Sequence, residues 1–417
     1  MTILSFEVIT IFVLTYIGLA VGKVPGLRLD RAAIAFVGGT LMLITGAMTF
    51  KEAMGPDSID YETLLLLFGM MVVVGFLRLS GVFVRLTAWS LGRIKTARAL
   101  LAVTILLSGM LSAILVNDVV CIALTPLILH LARKLRFDPL PHLIGLATAA
   151  NIGSTATITG NPQNMIIGVQ SQIPYLRFAE RLLPVAMLGL AVNFAVVCFV
   201  CRKRLAVRAG PPSAIENDKI PDRRLHRWLQ KKSIAVTLLA IGFFCLGFPL
   251  ALTAMAAAAV LLLGRVKSGK IFQQVDWRLL VMFAGLFIVV HGFQDQIVSH
   301  WDVEHWHWLR SHPITLLGGA SAILSNVVSN VPAVLLFKPV MQAIPRTVQQ
   351  DAWLALAASS TLAGNLTILG SVANLIVVER ARQEGVTISF WEYFKVGLPL
   401  TVFTFGIGIA WLRFMHY

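Results

Sequence analysis

Long apolar segments recur along the whole chain, and their length constrains the fold more than any other feature of the sequence. Each is close to the roughly 20 residues that an α-helix needs to cross the hydrocarbon core of a bilayer. Only 13% of the residues are charged, whereas soluble domains carry about a quarter. We therefore predict an all-α polytopic membrane protein whose first span is retained. The ten predicted spans are residues 4–21, 31–48, 62–78, 141–169, 182–201, 234–249, 251–264, 278–294, 352–378 and 395–412.

Two further apolar stretches contain polar residues midway and are predicted to be re-entrant hairpins, at 98–131 and 313–344. With the N-terminus outside, most of the 35 lysines and arginines fall in the predicted cytoplasmic loops, as the positive-inside rule requires. If either hairpin were counted as a single span, all loops after it would be placed on the opposite side of the membrane. The sequence thus predicts an inner (plasma) membrane protein with both termini outside, and the net charge of +15 indicates cytoplasmic loops and no nucleic-acid partner.

The two halves of the chain resemble each other. TITGNPQNMII, from Thr157, matches TILGSVANLIV, from Thr367, and IDYETLLLLFG matches VDWRLLVMFAG. Each half holds an odd number of predicted spans, so the second copy must be inverted relative to the first. Inverted repeats with interrupted helices are typical of secondary transporters. The predicted organisation is a first repeat at 1–204 with an inward hairpin, a basic cytoplasmic linker at 205–232, and a second, inverted repeat at 233–417 with an outward hairpin.

Two predicted spans, 141–169 and 352–378, are interrupted by polar residues and glycines at their centres. Irregular backbone at membrane depth is tolerated only where protein buries it or a water-filled cavity solvates it, and half-helix ends present free backbone groups to a ligand. We therefore predict a transport site at the two breaks; the alternative is that these small and polar residues only pack helices closely. The predicted substrate-binding residues are Asn117, Ser154, Thr155, Thr157, Asn161, Asn330, Asn365 and Thr367, and the predicted helix-breaking glycines are Gly153, Gly160, Gly364 and Gly370.

The hairpin tips, LVNDVV and VSNVPA, are equally polar. Asp118 is the only acidic residue predicted at membrane depth, where an ionisable group is costly and indicates a proton relay or a cation ligand. The alternative is an aspartate that caps the second hairpin helix. Predicted residues for coupling to H⁺ or Na⁺ are Asp118, Asn164, Ser329 and Asn374.

No cofactor, metal site or enzymatic activity is predicted. The histidines of HWDVEHWHW, at 300–308, match no metalloenzyme spacing and fit an interfacial loop better. Lys338, the only basic residue predicted within a hairpin, sits late enough to extend its ammonium group outward. No paired aspartates or His–Glu metal motif occur in the spans, so an intramembrane enzyme is disfavoured.

Four motifs together resemble the ion transporter superfamily over essentially the whole chain: NDVVCIALTPLIL, NIGSTATITGNPQN, SNVPAVLLFKP and LAGNLTILGSVANL. This group holds arsenite permeases, NhaD-type sodium/proton antiporters, the melanosomal P protein and divalent-anion/sodium symporters. The dicarboxylate symporters carry Ser-Asn-Thr at their hairpin tips. Here the tips read Val116-Asn117-Asp118 and Ser329-Asn330-Val331, which look more like the arsenite permease and P protein branch.

The resemblance implies a secondary active transporter of a small anion or oxyanion, with Asn117 and Asn330 central. For this branch it implies arsenite or antimonite efflux driven by a proton gradient or the membrane potential. A sodium- or proton-coupled carboxylate or inorganic anion symporter, and a sodium/proton antiporter that uses Asp118, remain alternatives. The resemblance also admits a homodimer and an ATPase partner subunit, within a lipid bilayer.

Overall fold

The regular secondary structure of this chain is helical. The computed structural model describes residues 3–22, 29–85, 94–206, 227–264, 266–300 and 313–416, and no β-strand occurs within them. The prediction of an all-α polytopic membrane protein is confirmed. Most of the predicted linker, and the histidine-containing stretch from 301 onward, lie outside the described residues.

The first half of the chain contributes the following helices to the described structure. They are α1 (Ile3–Val21), α2 (Arg31–Ile44), α3 (Phe50–Ala53), α4 (Tyr61–Leu79), α5 (Ala97–Ile114), α6 (Asn117–Lys134), α7 (Pro139–Ser154), α8 (Pro162–Ser171), α9 (Tyr175–Val200) and α10 (Arg202–Ala206).

The second half contributes nine helices to the described structure. They are α11 (Arg227–Cys245), α12 (Leu250–Leu262), α13 (Ser268–Phe272), α14 (Trp277–Gln296), α15 (Pro313–Val328), α16 (Asn330–Ala343), α17 (Arg346–Ala363), α18 (Val372–Gln383) and α19 (Phe390–His416). Seven of the described helices, α1, α4, α5, α9, α11, α14 and α19, are long and apolar enough to cross a membrane.

Helices α2 and α12 are shorter than the spans predicted at 31–48 and 251–264. They have 14 and 13 residues, or about 20 Å at 1.5 Å per residue, against about 30 Å of hydrocarbon. Helix α2 ends early because Gly46 takes a positive φ of 74° just beyond its C-cap, a conformation that ends helices. The apolar residues continue past this glycine, so the hydropathy pattern overestimated the length of α2.

Matching residues of the two halves build matching helix pairs. Asp60 and Asp276 cap α4 and α14, and their carboxylates accept from backbone N–H groups three residues later, at 2.9 and 3.1 Å. Farther along, a side chain at Gly69 would overlap Ala254 of α12, and one at Gly285 would overlap the Ala35 backbone of α2. Small residues let helix backbones approach closely, so α4 packs on α12 and α2 on α14, each pair crossing between the halves.

The remaining helices surround the two interrupted spans. Leu115 and Val116 separate α5 from α6, and Ser329 alone separates α15 from α16. Within each half, α5 packs on α7 and α15 on α17. The second helix of each hairpin also packs on the other half of the chain: α6 packs on α18, and α16 packs on α8. The chain thereby brings both helix breaks together.

Ion pairs join segments that the charge pattern predicts on the cytoplasmic side. Arg204 contacts Asp138 at 2.9 Å and Glu392 at 2.5 Å. Arg133 contacts Glu384 at 3.4 Å. Loops predicted on one side of the membrane therefore meet in the fold, while the orientation of the chain in the bilayer stays a prediction.

Candidate functional site

The two broken helices have the same construction. Helix α7 ends at Ser154, a 3₁₀ turn covers Ile158–Gly160, and α8 follows. Helix α17 ends at Ala363, a 3₁₀ turn covers Ile368–Gly370, and α18 follows. Asn161 caps α8, accepting from the Asn164 backbone N–H at 2.8 Å, and Ser371 caps α18, accepting from the Ala373 N–H at 3.2 Å. The N-termini of α8 and α18 therefore lie inside the protein.

One asparagine in each half supports the irregular loop that precedes it. The Asn164 amide donates to the carbonyl oxygens of Ser154 and Thr157 at 3.1 and 3.0 Å. The Asn374 amide donates to the carbonyl oxygens of Gly364 and Thr367 at 2.8 and 3.0 Å. Carbonyls of an irregular loop need hydrogen-bond partners away from water, and these amides add to the 3₁₀ bonds that the Thr157 and Thr367 carbonyls accept from Gly160 and Gly370. Both asparagines, predicted as coupling residues, therefore stabilise the loops in this structure.

A buried asparagine, Asn151, connects the first hairpin with both broken helices. Its Nδ2 donates to Oδ1 of Asn365 at 2.9 Å and to Oδ1 of Asn374 at 3.0 Å. Its Oδ1 accepts from Nδ2 of Asn117 at 3.1 Å and from Oγ of Ser371 at 2.9 Å. None of the five residues is more than 3% exposed. We call these five residues the asparagine hub.

Asn151 and Ser371 are not among the predicted site residues. The available signal was the position of Asn151 in NIGST, three residues before the end of α7. That position places its side chain one helical turn from the break. An amide has two donors and two acceptor lone pairs, and here Asn151 uses all four.

A second polar cluster lies between α8, α16 and α17. Thr361 Oγ1 accepts from Nδ2 of Asn161 at 3.3 Å and from Nε2 of Gln163 at 3.2 Å. With the Asn330 amide oriented by its hydrogen bonds, its Oδ1 accepts from Gln163 at 3.1 Å and its Nδ2 donates to the Gly370 carbonyl at 3.1 Å. Asn330 thus joins the second hairpin to both broken helices, whereas Asn117 of the first hairpin bonds Asn151 of α7.

Four predicted hydroxyl residues bind backbone. Ser154 and Thr155 donate to the Asn151 carbonyl at 2.8 and 3.2 Å, and Thr157 donates to the Ala113 carbonyl at 2.5 Å. Thr367 Oγ1 accepts from the Gly370 N–H at 3.0 Å. They lie at the breaks as predicted, but in this structure their hydroxyls hold the loops.

The four predicted helix-breaking glycines allow close backbone contact. Gly153 was predicted to break its helix, yet it lies inside α7, where a side chain would overlap the backbone of Gly109 in α5. A side chain at Gly160 would overlap the Ser154 backbone and one at Gly370 would overlap the Gly364 carbonyl, while one at Gly364 would be tight against the Gly370 carbonyl at 3.1 Å. None of the four has a positive φ. Their requirement for glycine is therefore steric and not conformational.

Asp118 lies half-buried in the first turn of α6, next to Asn117. The residue at the N-cap is Val116, which makes no side-chain cap, and the Asp118 backbone N–H donates to Oδ1 of Asn117 at 2.9 Å. Asp118 is therefore not the capping residue of this helix. Among the described residues, no group of three histidine, cysteine or acidic side chains could hold a metal ion.

Ser329, predicted as a coupling residue, forms the tip of the second hairpin with φ 78° and ψ 160°. This region is essentially restricted to glycine and costs about 1–3 kcal/mol for other residues. Lys338, in the same hairpin, interacts electrostatically with Asp60 and Asp57.

Two buried acceptors at the breaks have no hydrogen-bond partner among the described residues: Oδ1 of Asn164 and Oδ1 of Asn326. Asp118 is the one formally charged side chain among the hub, the second cluster and the hairpin tips. Amides and hydroxyls of this kind both donate and accept hydrogen bonds. The arrangement can therefore hold a small polar solute without a fixed positive charge.

Comparison with known proteins places this geometry in a transporter context. The model of the CitMHS family, described as citrate transporters, matches residues 16–363. The silicon efflux transporter LSI3 of Oryza sativa is 32% identical, with 93% of each chain covered. A 46 kDa membrane protein of Mycobacterium leprae is 28% identical over 99% of each chain. A Dictyostelium discoideum protein bearing the transporter name arsB is 25% identical over 98% of this chain and 91% of that protein.

The fold also resembles a solved structure, that of the YdaH transporter of Alcanivorax borkumensis, which is reported to have an unusual topology. The TM-score is 0.60 at 14% sequence identity, with 99% of this chain and 98% of that chain covered. At this identity the similarity concerns the fold.

Proposed function

Because the chain belongs to the CitMHS family of citrate transporters, within the ion transporter superfamily that its motifs predict, we propose that it exports a small hydroxylated metalloid solute, arsenite or antimonite, by secondary active transport across the inner membrane. The observation that carries this proposal is the asparagine hub around Asn151. It is buried, it joins both broken helices, and its side chains are uncharged.

The chemistry of the solute fits such a site. Trivalent arsenic is mainly an uncharged hydroxy acid at neutral pH, so its O–H groups can donate to amide oxygens and its oxygens can accept from amide N–H groups. A buried anion would require a compensating positive charge or strong hydrogen bonds. The hub supplies donors but no cationic side chain. An uncharged hydroxy acid therefore suits it better than a multiply charged carboxylate.

The names of two relatives support the same class of solute. One is a silicon efflux transporter and another bears the transporter name arsB. Dissolved silicon, like trivalent arsenic, is an uncharged hydroxy acid at neutral pH. A second candidate function, proton- or sodium-coupled carboxylate transport, is favoured by the citrate transporter description of the family.

For coupling, we assign the central role to Asp118. It carries the one formal charge close to the hub and is half-buried beside Asn117. A carboxylate in this position can exchange a proton as the site opens to one side and then the other. A sodium/proton antiporter would use the same residue, so the two functions differ in whether a solute accompanies the ion.

Transport by the purified protein in proteoliposomes tests these proposals. We expect arsenite uptake driven by an imposed proton gradient, and we expect Asp118→Asn to lose the stimulation by the gradient while retaining arsenite exchange. Asp295→Asn, which changes an exposed carboxylate in α14, is the matched control. Uptake of citrate and not arsenite would overturn the metalloid assignment, and sodium/proton exchange without any solute would favour the antiporter.

A further inference from the structure

A surface cavity of about 680 Å³ lies where three helix ends meet. Its walls come from the first two turns of α9, from the C-terminal end of α11 with the turn that follows it, and from Met415 near the end of α19. All three helices are among those long and apolar enough to cross a membrane. Their ends are therefore expected near the lipid headgroups, on the side where the charge pattern predicts the outer loops.

The walls of this cavity are held together by contacts within the protein. Arg181 donates from Nη1 to the Met415 carbonyl at 2.9 Å, and Nε1 of Trp411 donates to the Arg181 carbonyl at 2.9 Å. These two bonds join α9 to α19. The buried rings of Tyr175 and Phe244, with centroids 5.4 Å apart, join α9 to α11. The shape of the cavity therefore does not depend on a ligand.

Two arginines and one glutamate of α9 line the cavity: Arg177, Arg181 and Glu180. The arginines are four residues apart, so they lie on the same face of the helix. Arg177 and Glu180 are exposed, and the side chain of neither forms an ion pair or a hydrogen bond with any of the described residues. A cavity with this set of charges suits a ligand that carries both a phosphate and an ammonium group.

Exposed apolar side chains continue from the cavity along two of its helices. Leu176 of α9 and Leu246, just after α11, line the cavity and are 48% and 74% exposed. Leu183 and Met187, seven and eleven residues after Leu176, share its helix face and are also exposed. Phe243, three residues before Leu246, is exposed as well. Charged groups at the helix ends with apolar surface beyond them match the amphipathic shape of a phospholipid.

We propose that this cavity binds the headgroup of a zwitterionic phospholipid that has a primary ammonium group, phosphatidylethanolamine. Arg177 and Arg181 bind the phosphate, because guanidinium groups match its oxygens in charge and in geometry. Glu180 accepts hydrogen bonds from the ammonium group. The acyl chains lie along the exposed leucines of α9 and α11, so the lipid would stabilise the contact between the two halves of the chain.

The test is the melting temperature of the delipidated full-length protein in detergent as defined phospholipids are added. We expect phosphatidylethanolamine to raise it more than phosphatidylcholine, whose quaternary ammonium has no N–H to donate, and more than phosphatidylglycerol, which has no ammonium group. In Arg177→Gln, the concentration of phosphatidylethanolamine that gives half of the effect should rise about tenfold, the loss expected for one hydrogen bond to a charged group. In Glu180→Gln, the preference for phosphatidylethanolamine over phosphatidylcholine should disappear.

Arg413→Gln is the matched control, because Arg413 is an exposed arginine near the end of α19 that does not line the cavity. Its response to phosphatidylethanolamine should equal that of the wild type. Equal stabilisation of the wild type by phosphatidylethanolamine and phosphatidylcholine would overturn the proposal, and so would a wild-type response in Arg177→Gln.

Two further results would replace the lipid by another occupant and overturn the proposal. Stabilisation by inorganic phosphate to the same extent as by the lipid would indicate a site for free phosphate. A dimer that Arg177→Gln dissociates would indicate that this face is an interface between two copies of the chain. The measured quantity is stability and not transport, so the outcome is independent of which solute the protein carries.

Discussion

The Asn151 side-chain amide donates a hydrogen bond of 2.9 Å to Oδ1 of Asn365, which lies in the other half of the chain. The same amide donates to Asn374 at 3.0 Å. Both contacts are completely buried. One side chain of the first broken helix therefore holds two residues of the second.

Replacing this amide should slow transport strongly. Asn151→Ala leaves four buried polar partners without their hydrogen bonds, each costing about 1–3 kcal/mol unless water enters. We expect at least a tenfold lower rate of arsenite uptake in proteoliposomes and a lower melting temperature.

Asn193→Ala is the control for this variant. Asn193 is also completely buried, but its contacts are with Thr148 and the Gly145 carbonyl and not with the hub. A normal uptake rate in Asn151→Ala would contradict the central role of the hub.

The close contact of α5 with α7 at Gly153 predicts how a substitution there changes stability. In Gly153→Ala the new methyl group would overlap the Gly109 backbone and separate α5 from α7. Overpacking of this kind costs about 1–3 kcal/mol, so the free energy of unfolding should fall by that amount. Gly319→Ala in α15 is the control, because a Cβ there meets nothing within 4 Å. Equal stability of the two variants would show that α5 and α7 do not approach as described.

At the strained tip of the second hairpin, we predict that a substitution leaves stability unchanged or raises it. Ser329→Gly should raise the melting temperature or leave it unchanged, because glycine adopts φ 78° and ψ 160° without the cost of about 1–3 kcal/mol that serine bears. Ser325→Gly, inside α15, should instead lower stability by about 0.5 kcal/mol. A clear loss of stability in Ser329→Gly would mean that the serine hydroxyl, and not the backbone, matters at the tip.

Arg204 offers a test of the contacts between the predicted cytoplasmic segments. Its hydrogen bond to Asp138 raises the pKa of the guanidinium above its usual value. The pair therefore contributes fully below the ordinary arginine pKa and would be lost only as the pH rises through the raised value. Across the neutral range, salt and not pH should weaken it.

Arg204 is 45% exposed, so Arg204→Ala should cost at most about 1 kcal/mol at low salt. That difference from the wild type should shrink in 1 M salt, where the Debye length is about 3 Å. Arg382→Ala, which removes an exposed pair within α18, is the control. A large loss that does not depend on salt would indicate that the Arg204 side chain acts through packing.

Much of the architecture could be predicted from local patterns. Hydropathy and charge predict a helical membrane protein because the bilayer requires long apolar helices. Glycine and polar residues in two apolar runs indicate where helices are interrupted, since these residues change the local cost of continuing a helix. The same patterns overestimated α2, because hydropathy does not register the positive φ of Gly46.

The residues that form the candidate site were harder to predict from local patterns. Asn117, Asn365 and Asn374 were predicted, and the structure brings them together around Asn151, which was not. Their contact with a solute stays a prediction. Asn151 lies within α7, and its place one turn before the break is the only local sign that separates it from a residue that packs helices.

The sequence by itself determined the class of protein, the apolar segments and the positions at which two of them break, because these follow from properties of neighbouring residues. Only the tertiary structure decided which side chains meet at the breaks and that Gly153 serves helix contact. The partners of Asn151 come from segments far away in the chain, and they are brought close by the packing of α6 onto α18. Which side chains hydrogen-bond to each other depends on that packing, and no local pattern of the sequence encodes it.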